Sequence, residues 1–319
     1  MQLSAPWFAE RIIEILGQGE KVDGIFCTSF LDVAVLRSML ALRGCHLPLA
    51  LYFHENQLVY PVRGGLGDMF QFAAINFNSG LCADKVAFNS QYNRDSFLKE
   101  VSRYLNKAVD MDVAHLVEDI RRKSIILYPG MDYGFLDAET TSKPNKHVPV
   151  IVWNHRWEHD KGPECFFAAL EELDREGLAF RVMILGENFE QVPEVFARAE
   201  KQLAHRFMHF GYVPSREKYG ELLHRADIVV STAKHEFFGI AVLEAVRAGC
   251  RPLVPDRLSY RELFPKKFRY SSGELTAALR VLLQEPVHLT VEESRRLTAR
   301  YCWSVMAGKY RTWLIDLLG

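Results

Sequence analysis

Short apolar runs alternate with segments of helical period along most of the chain. In the first half, the apolar runs are bounded by polar or turn-forming residues, and they predict buried strands of a parallel sheet at residues 23–29, 48–54, 85–90 and 124–129. Amphipathic segments at 31–44 and 90–105 predict helices between these strands. Such alternation is typical of an α/β domain.

The alternation restarts after a polar segment without periodicity, residues 137–149, which predicts a linker. Further strands are predicted at 148–153, 180–186, 205–211, 226–232 and 250–255, and helices at 163–176, 193–203, 214–225 and 239–248. Two such series predict two doubly wound, Rossmann-like domains that face each other across a cleft. The predicted boundaries are 1–140 for the N-terminal domain, 148–302 for the C-terminal domain, and 303–319 for a C-terminal helix that can cross back to the N-terminal domain.

The N-terminal domain opens on a helical pattern, whereas doubly wound domains usually open on a strand near the centre of the sheet. A missing central strand would leave backbone groups unpaired and an apolar face uncovered. The pattern therefore predicts either a sheet built in another order or an N-terminal domain that lacks its first strand.

Composition and charge narrow the class of protein. The chain has 319 residues, is 49% hydrophobic and 25% charged, and carries a formal net charge of −1 with a pI near 6.8. This balance gives no sign of a dedicated nucleic-acid binder. The six cysteines are scattered without a C-x-x-C pair, so we expect reduced, mostly buried thiols. Neither a signal peptide nor a membrane span is recognised, which predicts a soluble cytoplasmic protein without a membrane partner. The oligomeric state is left open.

The stretch HRWEHDKG admits two kinds of chemistry. His155, Glu158 and His159 spell H-x-x-E-H, an order known from zinc peptidases. That site needs a helix on which both histidines share one face. Here the motif directly follows the predicted strand 148–153, and Pro163 is typical of the first turn of a helix that begins after the motif.

The same stretch also holds two cations, Arg156 and Lys161. A loop at the carboxyl end of a parallel strand is where α/β domains bind ligands. We therefore interpret Arg156 and Lys161 as a clamp for phosphate and predict no metal site.

A second candidate segment is STAKHEFFG, residues 231–239, in which a strand runs into a loop and a helix then begins near Phe237, Phe238 and Gly239. A glycine allows close backbone approach, and a helix N-terminus attracts anions. Glu236 precedes this helix and Glu244 lies about two turns further along it. Carboxylates in these places suit recognition of sugar and ribose hydroxyls, and the alternative is a solvated carboxylate at each position.

A polar quartet follows the strand at 48–54. The quartet is His54, Glu55, Asn56 and Gln57, and its place at the carboxyl end of a buried strand favours a functional role.

These motifs together resemble a known family. E-F-F-G-x-x-x-x-E, preceded by H-R-x-x-x-x-K-G, resembles the donor site of retaining glycosyltransferases with the GT-B fold, of the glycosyltransferase family 4 type. More closely, YFHENQLVYPV, AFNSQYNRDSFL, HRWEHDKGPECFF, GYVPSREKY and STAKHEFFG resemble the tRNA-queuosine α-mannosyltransferase family, from about residue 45 to the C-terminal helix. Members of that family open with a strand and a Gly-Gly loop, and neither is present here.

The resemblance implies retaining transfer of mannose from GDP-mannose to queuosine in a tRNA anticodon loop, without a metal or other cofactor. It implies catalytic roles for His54, Arg156, Lys161 and Glu236, donor contacts at Phe237, Phe238, Gly239 and Glu244, and acceptor-side contacts at Glu55, Asn56 and Gln57. The expected mechanism is front-face attack, with a diphosphate oxygen taking the acceptor proton.

Three alternatives remain open at this point. A related GT-B transferase could act on a lipid or glycan, and an apolar patch near residues 58–77 would favour it. A hydrolase would pair Glu236 with Glu244 as acid and base. A non-catalytic binding protein is the third, if the N-terminal strand is truly missing.

Contacts to tRNA phosphates are expected from basic residues of the first domain, and such contacts position RNA without reading its sequence. The candidates are Arg94, Lys99, Arg103, Lys107, Arg121, Arg122 and Lys123.

Overall fold

The computed structural model describes residues 3–59, 66–107, 111–137, 148–187, 192–285 and 288–319. The chain divides into two compact units, one formed by Met1–Pro129 with Met306–Gly319 and the other by Gly130–Val305. Each unit contains one parallel sheet with helices around it.

The first unit is built on four parallel strands that lie in chain order, β1 (Ile25–Thr28), β2 (Leu49–Phe53), β3 (Lys85–Phe88) and β4 (Ser124–Ile126). Every residue of β2 is buried, as expected for a strand covered on both faces of its sheet. The surrounding helices are α1 (Ser4–Gly17), α2 (Val33–Ala41), α3 (Leu66–Cys82), α4 (Gln91–Leu105) and α5 (His115–Arg122).

Local signals explain where the helices of this unit begin. The Asp32 side chain accepts the backbone N–H of Val35 at 3.1 Å and caps α2. Ser90 caps α4 in the same way, by accepting the backbone N–H of Asn93 at 3.0 Å. Each cap satisfies a backbone donor that has no partner inside its helix, and so fixes the point at which the chain turns from strand to helix.

The second unit is built on six parallel strands in the order β10-β9-β8-β5-β6-β7. Their bounds are β5 (Val150–Trp153), β6 (Arg181–Leu185), β7 (Phe207–Gly211), β8 (Ile228–Val230), β9 (Arg251–Pro255) and β10 (Arg269–Tyr270). The chain moves outward in one direction from β5 to β7 and in the other from β8 to β10. This reversal makes the β5–β8 boundary a topological switch point, where such sheets bind ligands.

In the described part of the second unit, eight α-helices accompany this sheet, and one more described helix follows them. They are α6 (Gly134–Asp137), α7 (Pro163–Arg175), α8 (Val195–Gln202), α9 (Arg216–Arg225), α10 (Ile240–Arg247), α11 (Tyr260–Leu263), α12 (Leu275–Gln284), α13 (Val291–Thr298) and finally α14 (Trp303–Leu318). On one side of the second sheet, Trp153, Phe166 and Phe196 are buried in a single aromatic-rich cluster. Trp157, in the loop after β5, also belongs to this cluster, and its ring stacks on Phe196 at 4.2 Å between centroids. In the first unit, Met306 and Trp313 of α14 pack on Ala50, Tyr52 and Ala87.

All nine predicted strands are present, and the two parallel α/β sheets confirm the predicted fold class. The two-residue strand β10 escaped prediction because it is too short to show a period. Within the described residues no strand precedes β1, which forms an edge of its sheet, and the expectation that the N-terminal domain lacks its first strand stays a prediction.

The predicted domain boundaries differ in detail from the division by contacts. The second compact unit begins at Gly130, ten residues before the predicted boundary, and its helix α6 packs on α9 and α10. The chain belongs to the first unit again from Met306 onward. Most of the predicted linker, residues 138–147, lies outside the described residues.

The cysteines and helices test two smaller expectations. All six cysteines are free, but only Cys27 and Cys250 are buried, so the expectation of mostly buried thiols is wrong. Within the described ranges, no helix is both long and apolar enough to cross a membrane.

Candidate active site

Two loops meet at the switch point of the second sheet. One follows β5 and carries HRWEHDKG, and the other follows β8 and carries STAKHEFFG. Because β5 and β8 are adjacent parallel strands, both loops leave the sheet at its carboxyl edge. The sequence-predicted donor residues are therefore brought to one place by the topology of the sheet.

The conformation of HRWEHDKG does not match a zinc-peptidase helix. Residues 155–158 form a loop, His159–Lys161 a single 3-10 turn, and α7 begins only at Pro163. The His155 side chain is buried and that of His159 is exposed. Throughout the described part of the chain, no group of three or more His, Cys, Asp or Glu side chains could hold a metal ion. HRWEHDKG therefore does not form the helical H-x-x-E-H site of a zinc peptidase, which was the other interpretation of this stretch.

Backbone contacts lock the two loops together. The Asp160 carbonyl accepts the backbone N–H of Lys234 at 2.7 Å and that of His235 at 3.2 Å. The Thr232 hydroxyl donates to the Lys161 carbonyl at 2.8 Å. Gly162 has φ +64°, and a Cβ there would lie 2.5 Å from the Thr232 carbonyl oxygen. Only glycine fits this contact, so the sequence K-G is needed for the two loops to meet.

Lys161 is a buried cation held in a fixed position. Its ammonium donates to the His235 carbonyl at 2.9 Å and lies 3.5 Å from Glu236 Oε2 and 3.3 Å from Asp160 Oδ2. Burial opposes the charge, but Glu236 and Asp160 outweigh burial, and the pKa of Lys161 is raised above its ordinary value. The side chain is thus a permanent positive charge that needs no rearrangement to meet an anion.

Arg156 and His155 behave differently from Lys161. The Arg156 side chain is 50% exposed and pairs with Glu158 at 3.3 Å, so it can reorient toward a ligand. His155 packs edge-on against Trp153. Burial, followed by the charge of Lys161, lowers the pKa of His155 to about 3, so its ring is neutral near pH 7.

Helix α10 begins beside Lys161. Gly239 precedes its first residue with φ +107° and makes no side-chain cap, so the first backbone N–H groups of α10 lack intrahelical partners. Glu236 Oε1 accepts the Phe238 backbone N–H at 3.4 Å, which ties this carboxylate to the turn. The Phe237 and Phe238 side chains are buried, and Phe238 packs on Tyr301. Any donor contact at the two phenylalanines would therefore involve their backbone rather than their rings.

Glu244, one of the predicted donor residues, belongs to a hydrogen-bonded group that the sequence did not reveal. The Tyr219 hydroxyl donates to Glu244 Oε2 at 3.1 Å, and the Asn154 side-chain amide donates to the Tyr219 oxygen at 2.9 Å. Burial raises the pKa of Glu244, while the Tyr219 hydrogen bond and the charge of Arg216 oppose this shift. Asn154 and Tyr219 are 65 residues apart in the chain, so no spacing rule could have joined them.

A cavity of about 310 Å³ opens at the same edge of the sheet. Its walls come from the ends of β5, β6 and β7 and from α9, and they include Asn154, Arg156, Glu187, Tyr212 and Tyr219. Gly186 also lines the cavity, and a Cβ there would lie 1.9 Å from the His155 carbonyl oxygen. The cavity is within the volume range of small-molecule sites.

The first unit presents His54 at the carboxyl end of β2. Burial lowers the pKa of His54, so the neutral imidazole prevails near pH 7. The ring of Phe30, which follows β1, lies 4.8 Å from the His54 ring. Phe30 is 47% exposed and was missed by the sequence analysis, because a single phenylalanine after a strand carries no distinctive signal.

Side-chain amides hold the His54 loop in place. Asn89 donates to the His54 carbonyl at 2.7 Å. Asn93 donates to the Phe53 carbonyl at 3.0 Å and to Asn89 Oδ1 at 2.9 Å. Asn56 in turn donates to Asn93 Oδ1 at 2.7 Å. The loops after β2 and β3 are thus joined by neutral hydrogen bonds.

The other three predicted acceptor-side residues have unlike surroundings. Asn56 is fully buried, and its amide is used within the unit, where Oδ1 accepts the Val59 N–H at 3.2 Å. It therefore supports the loop rather than facing a ligand, contrary to the predicted acceptor contact. Gln57 and Glu55 are partly exposed, and the Gln57 amide donates to Glu55 Oε1 at 2.7 Å.

The predicted phosphate-binding cations of the first unit are mostly exposed ion pairs. Arg103, Arg121 and Arg122 pair with acidic residues one helical turn away, at Glu100, Glu118 and Asp119. Lys123 differs, because its ammonium donates to the carbonyls of Leu81 and Ala83, and burial lowers its pKa. Lys123 is engaged in the fold, contrary to its predicted role as a phosphate contact.

Comparison with known proteins relates the chain to glycosyltransferases. Residues 1–131 match the family described as tRNA-queuosine alpha-mannosyltransferase N-terminal, and residues 137–290 match glycosyl transferases group 1. A tRNA-queuosine alpha-mannosyltransferase from Drosophila melanogaster is 38% identical over 264 residues, which cover 80% of this chain and 69% of that protein. A GDP-mannose:cellobiosyl-diphosphopolyprenol alpha-mannosyltransferase from Xanthomonas oryzae is 26% identical over 61% of this chain and 53% of its own length.

Solved structures share the fold at low sequence identity. Sucrose-phosphate synthase from Thermosynechococcus elongatus has a TM-score of 0.71 and 15% identity, with 98% of this chain and 78% of that chain covered. A UDP-forming trehalose-phosphate synthase from Burkholderia xenovorans has a TM-score of 0.67 and 14% identity, with 99% and 76% covered. These likenesses, with the two parallel sheets, give the GT-B fold. The chain belongs to the tRNA-queuosine alpha-mannosyltransferase family and is a glycosyltransferase.

Proposed function

We propose that this glycosyltransferase moves mannose from GDP-mannose to the queuosine of a tRNA, with retention of configuration and without a metal. The observation that carries the proposal is the fixed positive charge of Lys161, which lies beside the open N-terminus of α10 and on the same sheet edge as a nucleoside-sized cavity. The name of the Drosophila melanogaster relative supplies the acceptor and the α-mannosyl product.

The donor site divides into three parts along the sheet edge. The cavity has the size for a nucleoside, and the exposed ring of Tyr212 offers a face for stacking a base. Lys161, Arg156 and the first amides of α10 would hold the diphosphate. Glu236, next to Lys161, would bind hydroxyls of the transferred sugar, and Glu244 would bind those of the ribose.

Stabilisation of the leaving group carries the chemistry. As the glycosidic bond breaks, negative charge grows on the departing diphosphate, and fixed charges aimed at that group lower the barrier. Lys161 is suited to this role because its buried ammonium is already oriented by the His235 carbonyl. The acceptor hydroxyl would attack from the face that the diphosphate leaves, and a diphosphate oxygen would take its proton. We propose that His54 assists as a neutral hydrogen-bonding group toward the acceptor hydroxyl.

Retention follows from the configuration of the two sugars. The mannose of GDP-mannose is α-linked, and the Drosophila melanogaster relative is named for an α-mannoside product. An α donor gives an α product only when the configuration at the anomeric carbon is retained. The proposal of a metal-free reaction rests on the cations at the diphosphate position, and it predicts full activity in the presence of a chelator.

For the acceptor, the first unit offers an aromatic face and exposed cations. Sequence-specific RNA recognition often stacks an unpaired base on an aromatic side chain. Phe30, half exposed beside His54, can supply that face. Exposed ion pairs such as Arg121–Glu118 are weak, so these arginines can exchange their partners for RNA phosphates.

A related transferase that acts on a lipid or glycan is the second candidate, and the Xanthomonas oryzae relative carries such an acceptor in its name. The apolar patch that would favour it, near residues 58–77, lies partly outside the residues whose side chains are described. The test must therefore include such an acceptor.

The deciding assay incubates the protein with labelled GDP-mannose and with tRNA that carries either queuosine or guanine at the same position. The proposal expects label in the queuosine tRNA alone. Label transferred only to a polyprenol diphosphate or a glycan would replace it with the second candidate. A reaction without acceptor measures donor hydrolysis, and rapid sugar release there would point to a hydrolase.

Substitution of Glu244 and Glu236 gives a second test of the roles proposed for them at the donor. Glu244→Gln should mainly raise the KM for GDP-mannose, and Glu236→Gln should mainly lower kcat, because only the latter contacts the transferred sugar in the proposal. Equally small effects would leave Glu244 and Glu236 with a structural role only, through Tyr219 and Lys161 respectively.

A further inference from the structure

Helix α14 covers one face of the first sheet but leaves the last strand of that sheet partly open. Met306 and Trp313 of α14 pack on residues of β2 and β3, among them Ala87. Ile125 of β4 is the neighbour of Ala87 across the two strands and so lies on the same face, yet it remains 38% exposed. A groove therefore runs along β4, between that strand and α14.

This groove forms a cavity of about 620 Å³ whose walls belong to the first unit. One stripe of α14 lines it, because Lys309, Thr312 and Asp316 recur at helical spacing and all three are exposed. The other walls come from β4 and from the residues around the starts of β3 and β4. The groove is larger than the cavity of about 310 Å³ that is proposed to hold the nucleoside of the donor, so it has room for more than one such group.

Positive groups outnumber carboxylates around the groove. The cations are Lys85, Arg122, Lys123 and Lys309, and the carboxylates are Asp84 and Asp316. The whole chain has a formal net charge of −1, so this excess of positive charge is local. A concave surface lined by charges of one sign attracts a partner of the other sign, and this groove is therefore suited to an anion.

Three of the four cations are available to such a partner. Lys309 is exposed on α14. Lys85 lies 3.6 Å from Asp316, and Arg122, whose side chain is 71% exposed, pairs with Asp119 one helical turn away. Ion pairs with exposed partners contribute little to stability, so Lys85 and Arg122 can exchange their carboxylates for phosphates at small cost.

The groove reaches the end of the sheet at which His54 lies. Leu127 lines the groove just after β4, and the Tyr52 hydroxyl donates to the Leu127 carbonyl at 2.9 Å. Tyr52 belongs to β2 and precedes His54 by two residues. Because β2 and β4 are two strands apart in the sheet, about 10 Å separates them. A polymer that places one unit at His54 can therefore lay the next units in the groove.

We propose that the groove between β4 and α14 binds the phosphate backbone of the tRNA, at the nucleotides next to the one whose base reaches His54. Lys309, Arg122 and Lys85 contact the phosphates. Such contacts position RNA without reading its sequence, so they hold a tRNA with queuosine and one with guanine alike. This inference rests on the proposed function in taking the acceptor to be a tRNA, and it adds α14 to the acceptor side.

The test measures binding of the full chain to tRNA by fluorescence anisotropy at several salt concentrations. Lys309→Glu should weaken binding about tenfold and reduce the slope of log K against log salt by about 0.7, because a phosphate contact to a single strand is lost. Binding of queuosine tRNA and of guanine tRNA should weaken equally. The affinity for GDP and the melting temperature should stay those of the wild type, since Lys309 is exposed.

The matched control is Arg311→Glu, which makes the same change of charge on the same helix. Arg311 is exposed and lies two positions from Lys309, so the two side chains point to different sides of α14. The control should weaken tRNA binding by less than about threefold, through long-range repulsion alone.

A substitution of opposite sign provides a second measurement. Asp316→Asn removes a carboxylate from the groove and releases Lys85, so it should tighten tRNA binding by about two- to threefold. Glu10→Gln, which removes an exposed carboxylate of α1, is its control and should leave the affinity unchanged.

The outcomes distinguish this inference from the proposed function. If Lys309→Glu and Asp316→Asn bind tRNA as the wild type does, the groove inference falls and the mannose-transfer proposal stands. Equal weakening by Lys309→Glu and Arg311→Glu would show a general effect of charge and would also overturn the inference. If Lys309→Glu alone weakens binding but the wild type transfers mannose to no tRNA, the inference stands and the transfer proposal falls. If the wild type binds no tRNA, both are wrong.

Discussion

The loops after β5 and β8 are joined to each other by different groups from those that join the loops after β2 and β3. In the second unit, a buried ammonium, Lys161, contacts a carbonyl and two carboxylates where the loops meet. In the first unit, Asn56, Asn89 and Asn93 join the loops through neutral amides. Hydrogen bonds join the loops in both units, but of these two contacts only the one in the second unit includes a buried cation.

This difference follows the chemistry proposed for each side. A departing diphosphate needs positive charge that is already in place, because moving a charge or its solvent during the reaction would raise the barrier. An acceptor hydroxyl carries little charge before it attacks, and a neutral histidine is enough to orient it. Neutral amides can be buried fully when each is paired, whereas a buried charge also needs counter-charges such as Glu236 and Asp160.

The largest effect is expected from removing the buried charge. Lys161→Ala should lower kcat/KM for transfer by about 10²- to 10³-fold, because it removes a fixed charge at the leaving group. Steady-state transfer with GDP-mannose and queuosine tRNA measures this loss.

Lys218→Ala provides the matched control, since Lys218 is an exposed lysine that pairs only with Glu221 one turn away. It should keep wild-type activity. If Lys161→Ala retained more than a tenth of the activity while folded, the cation clamp would not be the source of leaving-group stabilisation.

A smaller effect, and one confined to the first unit, is expected from breaking the amide network. Asn93→Ala removes the side-chain hydrogen bonds that Asn93 makes with the Phe53 carbonyl, Asn89 Oδ1 and the Asn56 amide, and should cost about 2–3 kcal/mol of unfolding free energy. Affinity for GDP should stay within about twofold, because the proposed donor site is built from residues of the second unit.

Urea unfolding and GDP titration of the same samples test whether Asn93→Ala lowers stability without changing GDP affinity. Asn106→Ala, at the exposed C-terminal cap of α4, controls for loss of an asparagine on the same helix. A large loss of GDP affinity in Asn93→Ala would show that the two loop systems are coupled rather than independent.

The parts of the site that lie within one loop could be predicted from the sequence. Apolar runs located every strand that carries a functional loop, and Pro163 marked the start of α7. From there, the rule that parallel sheets bind ligands at their carboxyl edge brought Arg156, Lys161 and Glu236 together. These inferences need only local pattern and one rule of topology.

Contacts between distant segments could not be predicted in this way. Asn154 meets Ala241 across 87 positions and Asn56 meets Asn93 across 37, and neither pair forms a spacing motif. The donor contacts that the resemblance implies at Phe237 and Phe238 stay a prediction, and the sequence did not show that both side chains are buried, with Phe238 packed on Tyr301. Whether a side chain is buried in the core or is open to a ligand depends on the tertiary fold, which the local pattern does not specify.

The proposed stacking of an RNA base on the exposed ring of Phe30 can be tested by substitution. Phe30→Leu should raise the KM for queuosine tRNA by about tenfold, the size expected for the loss of one base–aromatic stack, with kcat and GDP affinity little changed. Phe30→Tyr should restore the wild-type KM, because a tyrosine ring stacks equally well.

Phe8→Leu is the control for this substitution, because Phe8 is an exposed phenylalanine of the same unit, on α1. An unchanged KM in Phe30→Leu would leave Phe30 as a packing partner of His54 only. An equal rise in KM for both variants would indicate a general effect of the first unit on RNA binding.

The smallest expected effect concerns the stability of the donor side at low pH. Because burial lowers the pKa of His155 to about 3, the unfolded chain binds a proton at this residue near pH 6.5 while the folded chain does not. The unfolding free energy attributable to His155 should therefore fall as the pH drops below 6.5, by about 1 kcal/mol between pH 6.5 and 5.5. His155→Gln should remove this slope relative to the wild type in urea unfolding at both pH values, whereas His115→Gln, an exposed substitution, should leave it. Parallel pH profiles for the wild type and His155→Gln would show that His155 binds a proton equally well in the folded and the unfolded protein, and the neutral ring assigned to buried His155 would then be wrong.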